Sequence, residues 1–329
     1  MKNPLKNHII IDGLQYCNWN RKILEDLWQG GLTAVHVTIV YWENTEEAIK
    51  KIKKWQIRIK KNKDIITHAK NTDDIIKAKK NNKVAIIFGF QNSAPIENNI
   101  FLLEKFYSLG LRFMQLTYNN QTAIGGGCFE AVDSGISRFG HQVIEEMNNL
   151  GIIVDLSHAG KKTFLDAIKI SKKPVAISHA NPFFFHKSKR NIENDVLKKL
   201  SNKNGFIGLS LYPYHLKNHN KCKIEDFCQM VKDLINLIGI ESIGIGSDLC
   251  SNWKDEVVVW MRNGKWTKKL DYGESKNKSI KWPAQPQWFR KGSDIINIYN
   301  ALIKSGISEK NAIKIMGSNW LNFMKNTIG

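Results

Sequence analysis

The chain of 329 residues has few cysteines and lacks any long apolar run. Its cysteines are Cys17, Cys128, Cys222, Cys228 and Cys250. This odd number without Cys-x-x-Cys spacing argues against a disulfide framework or a zinc ribbon, and it indicates a reducing compartment. No run approaches ~18 apolar residues, so the sequence predicts no membrane span. The N-terminus has no apolar stretch long enough for a signal peptide before the first strand. We therefore expect a soluble, cytoplasmic protein.

Arginine is also scarce, although the chain is strongly basic. The formal net charge is +19, but only seven of the 49 Lys and Arg residues are Arg. Nucleic-acid sites favour clustered arginine and aromatic platforms. Here lysines are scattered over segments of helical spacing, such as residues 50–63 and 77–83. The charge therefore predicts a solvated basic surface and no nucleic-acid partner.

Short apolar runs alternate with segments of helical spacing along the whole chain. The predicted strands are residues 8–15, 34–40, 84–92, 112–119, 152–156, 175–178, 205–212 and 242–249. Eight such strands with helical spacers predict a single-domain (β/α)8 barrel covering residues 1–329, with an aromatic insertion after strand eight at about 250–290. A doubly wound open sheet is the alternative, but it would need a Gly-rich fingerprint after the first strand, and Asp12-Gly13-Leu14-Gln15 is not one.

Polar residues stand at the carboxyl ends of the predicted strands, which is where a (β/α)8 barrel carries its active site. The fifth and sixth strands end in the same pair, Ser157-His158 and Ser178-His179, and Arg190 follows eleven residues later. The repeat favours a metal pair or an acid/base pair over two packed core histidines. The strand-end residues in chain order are Gln15, Thr38, Gln91, Tyr118, His158, His179, Tyr212 and Asp248.

A glycine-rich loop, Gly125-Gly126-Gly127, follows the fourth strand. It lacks the Lys-Ser/Thr ending of a phosphate loop and does not run directly from a strand into a helix. We predict a surface turn.

Several motifs resemble the membrane dipeptidase (renal dipeptidase) family of zinc metallopeptidases, in the amidohydrolase-like superfamily. They are YSLGLRFMQLTYNN (107–120), VDLSHAG (154–160), ISHANP (177–182), KRNIENDVL (189–197), IGIGSDL (243–249) and MGSNWLNF (316–323). The resemblance implies the (β/α)8 barrel and hydrolysis of a dipeptide-like substrate. It places two zinc-binding histidines on His158 and His179, the substrate-binding arginine on Arg190 and the strand-eight aspartate on Asp248.

The chain departs from the family at four positions. The family's first strand reads Asp-Gly-His-x-Asp, whereas here Leu14 and Tyr16 replace the two metal ligands; Gln91 replaces the bridging glutamate and Tyr118 a substrate-orienting histidine. Two closely spaced zinc ions need anionic ligands to offset their repulsion. We therefore expect a divergent member with a one-metal site, zinc being the first choice, in which Gln91 is a candidate third ligand.

Three functions remain open from the sequence. The first is a metal-dependent hydrolase of an amide in a small carboxylate-bearing substrate, such as a dipeptide or a modified amino acid. In it Asp248 is the general base or amine anchor, Arg190 binds the carboxylate, and Tyr118 and Gln91 orient the substrate or stabilise the oxyanion. The second is a metal-free lyase or isomerase using His158 and His179 as acid and base. The third is a non-catalytic binding protein; the family also suggests a homodimer.

Overall fold

A closed parallel β-barrel forms the centre of the molecule. The computed structural model describes residues 4–265 and 281–329. Hydrogen bonds join β1, β2, β4, β5, β6, β7, β8 and β9 in that order, and β9 pairs back with β1; β3 adds to β4 and β10 to β1. The strands are β1 (Ile11–Cys17), β2 (Ala34–Val40), β3 (Ile66–His68), β4 (Val84–Phe90), β5 (Leu111–Gln115), β6 (Ile153–Asp155), β7 (Ala176–Ala180), β8 (Phe206–Leu209), β9 (Ile243–Ile245) and β10 (Leu249–Ser251).

Helices connect the strands and cover the barrel. Side chains that cap the helix starts fix several boundaries: Asn20, Asn44, Asn71 and Ser137 each accept a hydrogen bond from a main-chain amide of the first turn. The helices are α1 (Arg21–Gln29), α2 (Thr45–Lys61), α3 (Thr72–Lys80), α4 (Phe101–Ser108), α5 (Arg138–Leu150), α6 (Lys161–Ile170), α7 (Asn194–Ser201), α8 (Ile224–Ile238), α9 (Glu256–Asn263), α10 (Ile295–Lys304), α11 (Glu309–Ile313) and α12 (Asn319–Lys325).

The buried side chains of the strands and a tryptophan near the C-terminus together fill the core. Every residue of β1, β2 and β4 is buried, as expected for parallel strands covered on both faces. Trp320 of α12 inserts its indole into the barrel, where Nε1 donates to the main-chain oxygen of Ile245 at 2.7 Å and the ring packs on Phe206, the first residue of β8. The terminal MGSNWLNF motif therefore plugs the end of the barrel opposite the strand ends that carry His158 and His179.

The predicted (β/α)8 architecture in one domain is confirmed. The short strands β3 and β10 were not predicted, because three-residue strands carry too little periodicity to be recognised in a sequence. Part of the predicted aromatic insertion is α9; residues 266–280, including Trp266, lie outside the described residues, so the insertion as a unit stays a prediction. In the part of the chain that is described, no helix combines the length and apolarity needed to cross a bilayer.

Candidate active site

Two histidines meet at the carboxyl ends of β6 and β7. His158 follows β6 and His179 lies in β7, and their Nε2 atoms are 3.0 Å apart. Both side chains are buried. The pKa of each imidazole is well below its usual range, first because of burial and second because of the positive charge of Arg190. Both rings are therefore neutral near pH 7, the state in which an imidazole binds a metal or accepts a proton.

The other nitrogen of each ring has a hydrogen-bond partner that fixes its orientation. Nδ1 of His158 lies 2.5 Å from Oδ1 of Asn119, and Nδ1 of His179 lies 2.8 Å from Oγ of Ser178. Metal-binding histidines usually have such a partner at the ring nitrogen that does not bind the metal. Each ring is therefore held with Nε2 toward the other ring.

A buried carboxylate explains why the Ser-His pair is repeated. Oδ1 of Asp155 accepts from the main-chain amides of Ser157 and Ser178 at 3.0 Å and from Oγ of Ser157 at 2.8 Å, while Oδ2 accepts from Nε2 of Gln115 at 3.2 Å. The amide of His179 in turn donates to Oγ of Ser157. Because β6 and β7 are paired at a single position, Asp155 with Ala176, these side-chain bonds join the two strand ends.

Three residues around the site have left-handed backbone conformations. Asn119, His158 and Asp248 have φ values of 64°, 66° and 53°. Asparagine, aspartate and histidine adopt this region more often than other residues with a side chain, although it is uncommon for all of them. Strained conformations of this kind cluster at functional sites, where the surrounding structure enforces them. The backbone thus favours a functional role for His158 and Asp248.

The prediction of a surface turn at the glycine-rich loop is wrong. Gly125, Gly126 and Gly127 are buried, and a Cβ on Gly127 would lie 2.3 Å from the main-chain carbon of Asn119. The main-chain amide of Cys128 donates to the carbonyl of His158 at 2.8 Å. The loop therefore packs directly behind the Asn119–His158 contact, and only a residue without a side chain fits there. Its hydrophilic composition gave no sign of this tertiary contact.

A buried guanidinium and a further histidine border the pair. Arg190 is 1% exposed, and its Nη2 donates to the main-chain oxygen of His179 at 3.2 Å. His215 is also buried, with Nδ1 2.8 Å from Oγ of Ser210. It contributes, after burial and Arg190, to the low pKa of both site histidines. Arg190 therefore supplies the positive charge on this side of the site.

Aromatic rings form the opposite side of the site. The Tyr118 ring lies 4.3 Å from the His158 ring, and it contacts Tyr41 and Trp42 edge-on at 4.8 and 5.1 Å. Nε2 of Gln91 donates to Oη of Tyr41 at 2.9 Å and to Oγ1 of Thr38 at 2.7 Å. Gln91 thereby orients Tyr41, a residue that the sequence analysis missed because it lies just beyond the end of β2.

Asp248 lies on the same aromatic side of the site. The pKa of Tyr41 is well above its usual range, mainly because of burial and then because of Tyr118, with a smaller contribution from the Asp248 carboxylate. The main-chain amide of Asp248 donates to the carbonyl of Leu14 at 3.0 Å. Asp248 is thus anchored between the first and last barrel strands.

Leu14 and Tyr16, which stand at the positions of the family's first-strand metal ligands, are packed against other residues. Leu14 is fully buried, and the Tyr16 ring stacks on Trp253 at a centroid distance of 4.6 Å. Within residues 4–265 and 281–329, no group of three or more His, Cys, Asp or Glu residues is placed to hold a metal. Leu14 thus offers no ligand, and the ring of Tyr16 is packed against Trp253.

Two candidate donors for a single ion lie at the carboxyl ends of β6 and β7. The two Nε2 atoms face each other, both rings are neutral, and both Nδ1 atoms are already engaged. The donor chemistry thus suits one divalent ion, although catalytic zinc normally has three protein ligands.

The chain is similar to dipeptidases in both sequence and structure. The model of the membrane dipeptidase family (peptidase family M19) matches residues 18–256. An uncharacterized dipeptidase of Schizosaccharomyces pombe is 33% identical over 186 residues, which cover 54% of this chain and 44% of that protein. Dipeptidase tcpJ of Claviceps purpurea is 27% identical over 265 residues, covering 80% and 55%. The chain thus spans about half the length of these curated relatives.

Solved structures agree with this assignment. An amidohydrolase from Pseudomonas aeruginosa is 33% identical with a TM-score of 0.93, over 98% of this chain and 97% of that chain. A metallo peptidase from Rhodobacter sphaeroides, liganded with a phosphinate mimic of the dipeptide L-Ala-D-Ala, has a TM-score of 0.80 at 17% identity, over 97% and 99%; at that identity it shows the fold alone. The chain therefore belongs to the membrane dipeptidase family, peptidase family M19.

Proposed function

We propose that this protein hydrolyses an amide or peptide bond in a small substrate that carries a carboxylate, such as a dipeptide or a modified amino acid. The observation that carries the proposal is the facing pair of neutral imidazoles, His158 and His179, at the strand ends of a family M19 barrel. Chemistry gathers at this end of a (β/α)8 barrel. Two rings held at 3.0 Å by partners at their outer nitrogens form a preorganised centre.

One divalent ion, with zinc as the first choice, is the proposed cofactor. His158 and His179 would hold it through Nε2, with Gln91 as the candidate third ligand. When bound, such an ion lowers the pKa of a water molecule and polarises a carbonyl oxygen. The protein's own contribution is orientation: Asn119 and Ser178 hold the two rings through Nδ1.

The remaining site residues are proposed to bind and orient the substrate. Arg190 lies beside His179 and supplies the positive charge that a substrate carboxylate needs. Asp248 is the proposed general base or anchor for a substrate amine. The hydroxyl of Tyr118 lies on a ring that packs against His158, and Gln91 supports this side of the site through Tyr41. Both would orient the substrate or stabilise charge on its oxygen.

Metal-free acid/base chemistry is the second candidate. The 3.0 Å contact between the Nε2 atoms requires one ring to donate and the other to accept, so the pair already holds a proton between two bases. A lyase or isomerase with these two histidines as acid and base would use the same geometry.

Metal content and amide hydrolysis, measured on the same samples, test the proposal. The full-length protein is purified without chelator or histidine tag, and zinc, manganese and iron are measured by plasma mass spectrometry. Hydrolysis of a panel of dipeptides and N-acylated amino acids is followed in parallel. His158→Ala and His179→Ala are compared with His141→Ala, which removes an exposed histidine of α5.

We expect about one ion per chain, lost together with hydrolysis in the two site variants and kept in the His141 variant. Two ions per chain would show that other residues rebuild the missing half-site. If the protein binds no ion after soaking in excess zinc and turns over a non-amide substrate, metal-free acid/base chemistry would replace hydrolysis as the proposed function. Cytoplasmic location and a homodimer stay predictions.

A further inference from the structure

A basic cleft lies at the end of the barrel opposite the active site. It has a volume of about 630 Å³ and is lined by the N-terminal turn, the end of α1 and the end of α3; its residues include Lys6, Trp28, Lys79 and Lys83. These segments lead into the starts of β2 and β4, whereas His158 and His179 sit at strand ends. The volume is in the range of small-molecule pockets, roughly 300–1,000 Å³. The cleft is therefore separate from the candidate active site.

The cleft carries positive charge without carboxylates to balance it. No aspartate or glutamate is among the described residues that line it. Among the ion pairs of residues 4–265 and 281–329, none involves Lys6, Lys79 or Lys83. By contrast, lysines elsewhere do find partners, as Lys161 does with Glu193. Lys79 is also half-buried, and burial lowers its pKa.

The ends of the helices offset only part of this charge. Carbonyl groups at the C-terminal ends of α1 and α3 border the cleft, and each helix end is equivalent to about −0.5 of an elementary charge. Three ammonium groups against two such ends leave roughly +2. A ligand that neutralises the cleft therefore carries about two negative charges.

The wall of the cleft adds a flat apolar surface. Trp28 is partly buried, and its Nε1 donates to the main-chain oxygen of Asn82 at 2.7 Å, which fixes the indole plane. Asn82 is itself a cleft residue and has a left-handed φ of 52°. A fixed aromatic face next to ammonium groups suits an anion attached to an organic ring.

We propose that this cleft binds a small phosphate-bearing anion, held by the ammonium groups of Lys6, Lys79 and Lys83 beside the Trp28 ring. Ammonium groups act as point charges toward phosphate oxygens. The concave shape fits a small ligand, whereas nucleic acid or a membrane would need an extended surface. The site is independent of the proposed hydrolysis, because none of its residues belongs to the strand ends.

Calorimetric titration of the full-length protein with inorganic pyrophosphate and with ADP, at low ionic strength, tests the site. Lys79→Gln/Lys83→Gln is compared with Lys53→Gln/Lys54→Gln, which removes two exposed charges from α2 and therefore controls for net charge. We expect saturable binding that falls about 10-fold or more in the cleft variant, since one charge-assisted contact contributes about 1.5–3 kcal/mol. The α2 variant should bind within about two-fold of the parent.

Trp28→Leu separates the two sources of phosphate. A loss of ADP binding with unchanged pyrophosphate binding identifies a nucleotide stacked on the indole. If Trp28→Leu changes the affinity for ADP and for pyrophosphate by the same factor, the cleft recognises the phosphate groups alone. Absence of saturable binding of either probe, or equal weakening in the cleft and α2 variants, would overturn the proposal.

Discussion

Nη2 of Arg190 donates a hydrogen bond of 3.2 Å to the main-chain oxygen of His179. This contact brings a permanent positive charge against the strand that carries one of the two site imidazoles. The same charge contributes, after burial, to the low pKa of both His158 and His179. Arg190 thus contributes to keeping the imidazoles neutral, and we propose a second, experimentally separable role for it in binding a substrate carboxylate.

Arg190→Lys tests the substrate-binding role. Lysine keeps the charge but not the planar pair of donors that matches a carboxylate. We expect KM to rise about 10-fold or more, since a charged hydrogen bond contributes about 1.5–3 kcal/mol, with a smaller change in kcat. Steady-state kinetics on a dipeptide measures both constants. Arg138→Lys, an exposed position in α5, should leave both unchanged. An unaltered KM in Arg190→Lys would assign the carboxylate to another residue.

Asp155→Asn tests how the two strand ends are held together. The neutral amide keeps the shape and one accepting oxygen, but it loses the negative charge and its NH2 group cannot accept. Either the bonds from Ser157 and Ser178 at Oδ1 or the bond from Gln115 at Oδ2 must therefore rearrange. We expect the histidines to lose their alignment and kcat to fall roughly 10- to 100-fold, as for second-sphere partners of metal ligands. KM should change little, because Asp155 lies beneath the site.

Asp26→Asn is the matched control for that variant. Asp26 is a partly buried carboxylate of α1, and it accepts from the main-chain amide of Ser293 at 3.0 Å, away from the strand ends. Both variants should lower the midpoint of urea unfolding, which measures the general cost of altering a hydrogen-bonded carboxylate. Only Asp155→Asn should also lower kcat. A similar drop in kcat for both would mean that the effect is loss of stability rather than positioning.

The barrel and the histidine pair could be predicted from the sequence because both depend on local signals. Alternating apolar runs and helical segments indicate a parallel sheet, and the repeated Ser-His pair marks two strand ends. Asn119 and Tyr41 could not be found in this way. Each acts through a contact between the ends of two neighbouring strands, Asn119 with His158 and Tyr41 with Gln91, and no periodicity encodes contacts between residues so distant in the chain.

The sequence shows that two metal ligands of the family are replaced, but it does not show how the replacing side chains pack. Leu14 and Tyr16 showed that two metal ligands were missing. The structure adds that Tyr16 joins a packed cluster with Tyr41 and Trp253. Aromatic side chains from separate strands and loops meet there only because the barrel brings the ends of its strands together. An aromatic residue in a sequence does not reveal which other rings it will contact.

His36 in the barrel interior makes the stability depend on pH. The side chain is fully buried, Nδ1 lies 2.7 Å from the carbonyl oxygen of Gly13, and the ring stacks on Phe113. Burial lowers its pKa from 6.5 to about 4. As pH falls below 6.5, the unfolded chain takes up the proton first, so the folded state loses stability between 6.5 and about 4. The loss from this one group is about 3 kcal/mol.

Urea unfolding between pH 7.5 and 4 measures this loss, with His36→Leu as the test variant. Leucine keeps an apolar contact with Phe113 but cannot take up a proton. The variant should be less stable than the parent at pH 7.5, because it loses the bond to Gly13, and the difference should shrink by about 3 kcal/mol as pH falls to 4. His141→Leu, on the exposed face of α5, should follow the parent at every pH. Parallel curves for the parent and His36→Leu would show that His36 does not cause the acid sensitivity.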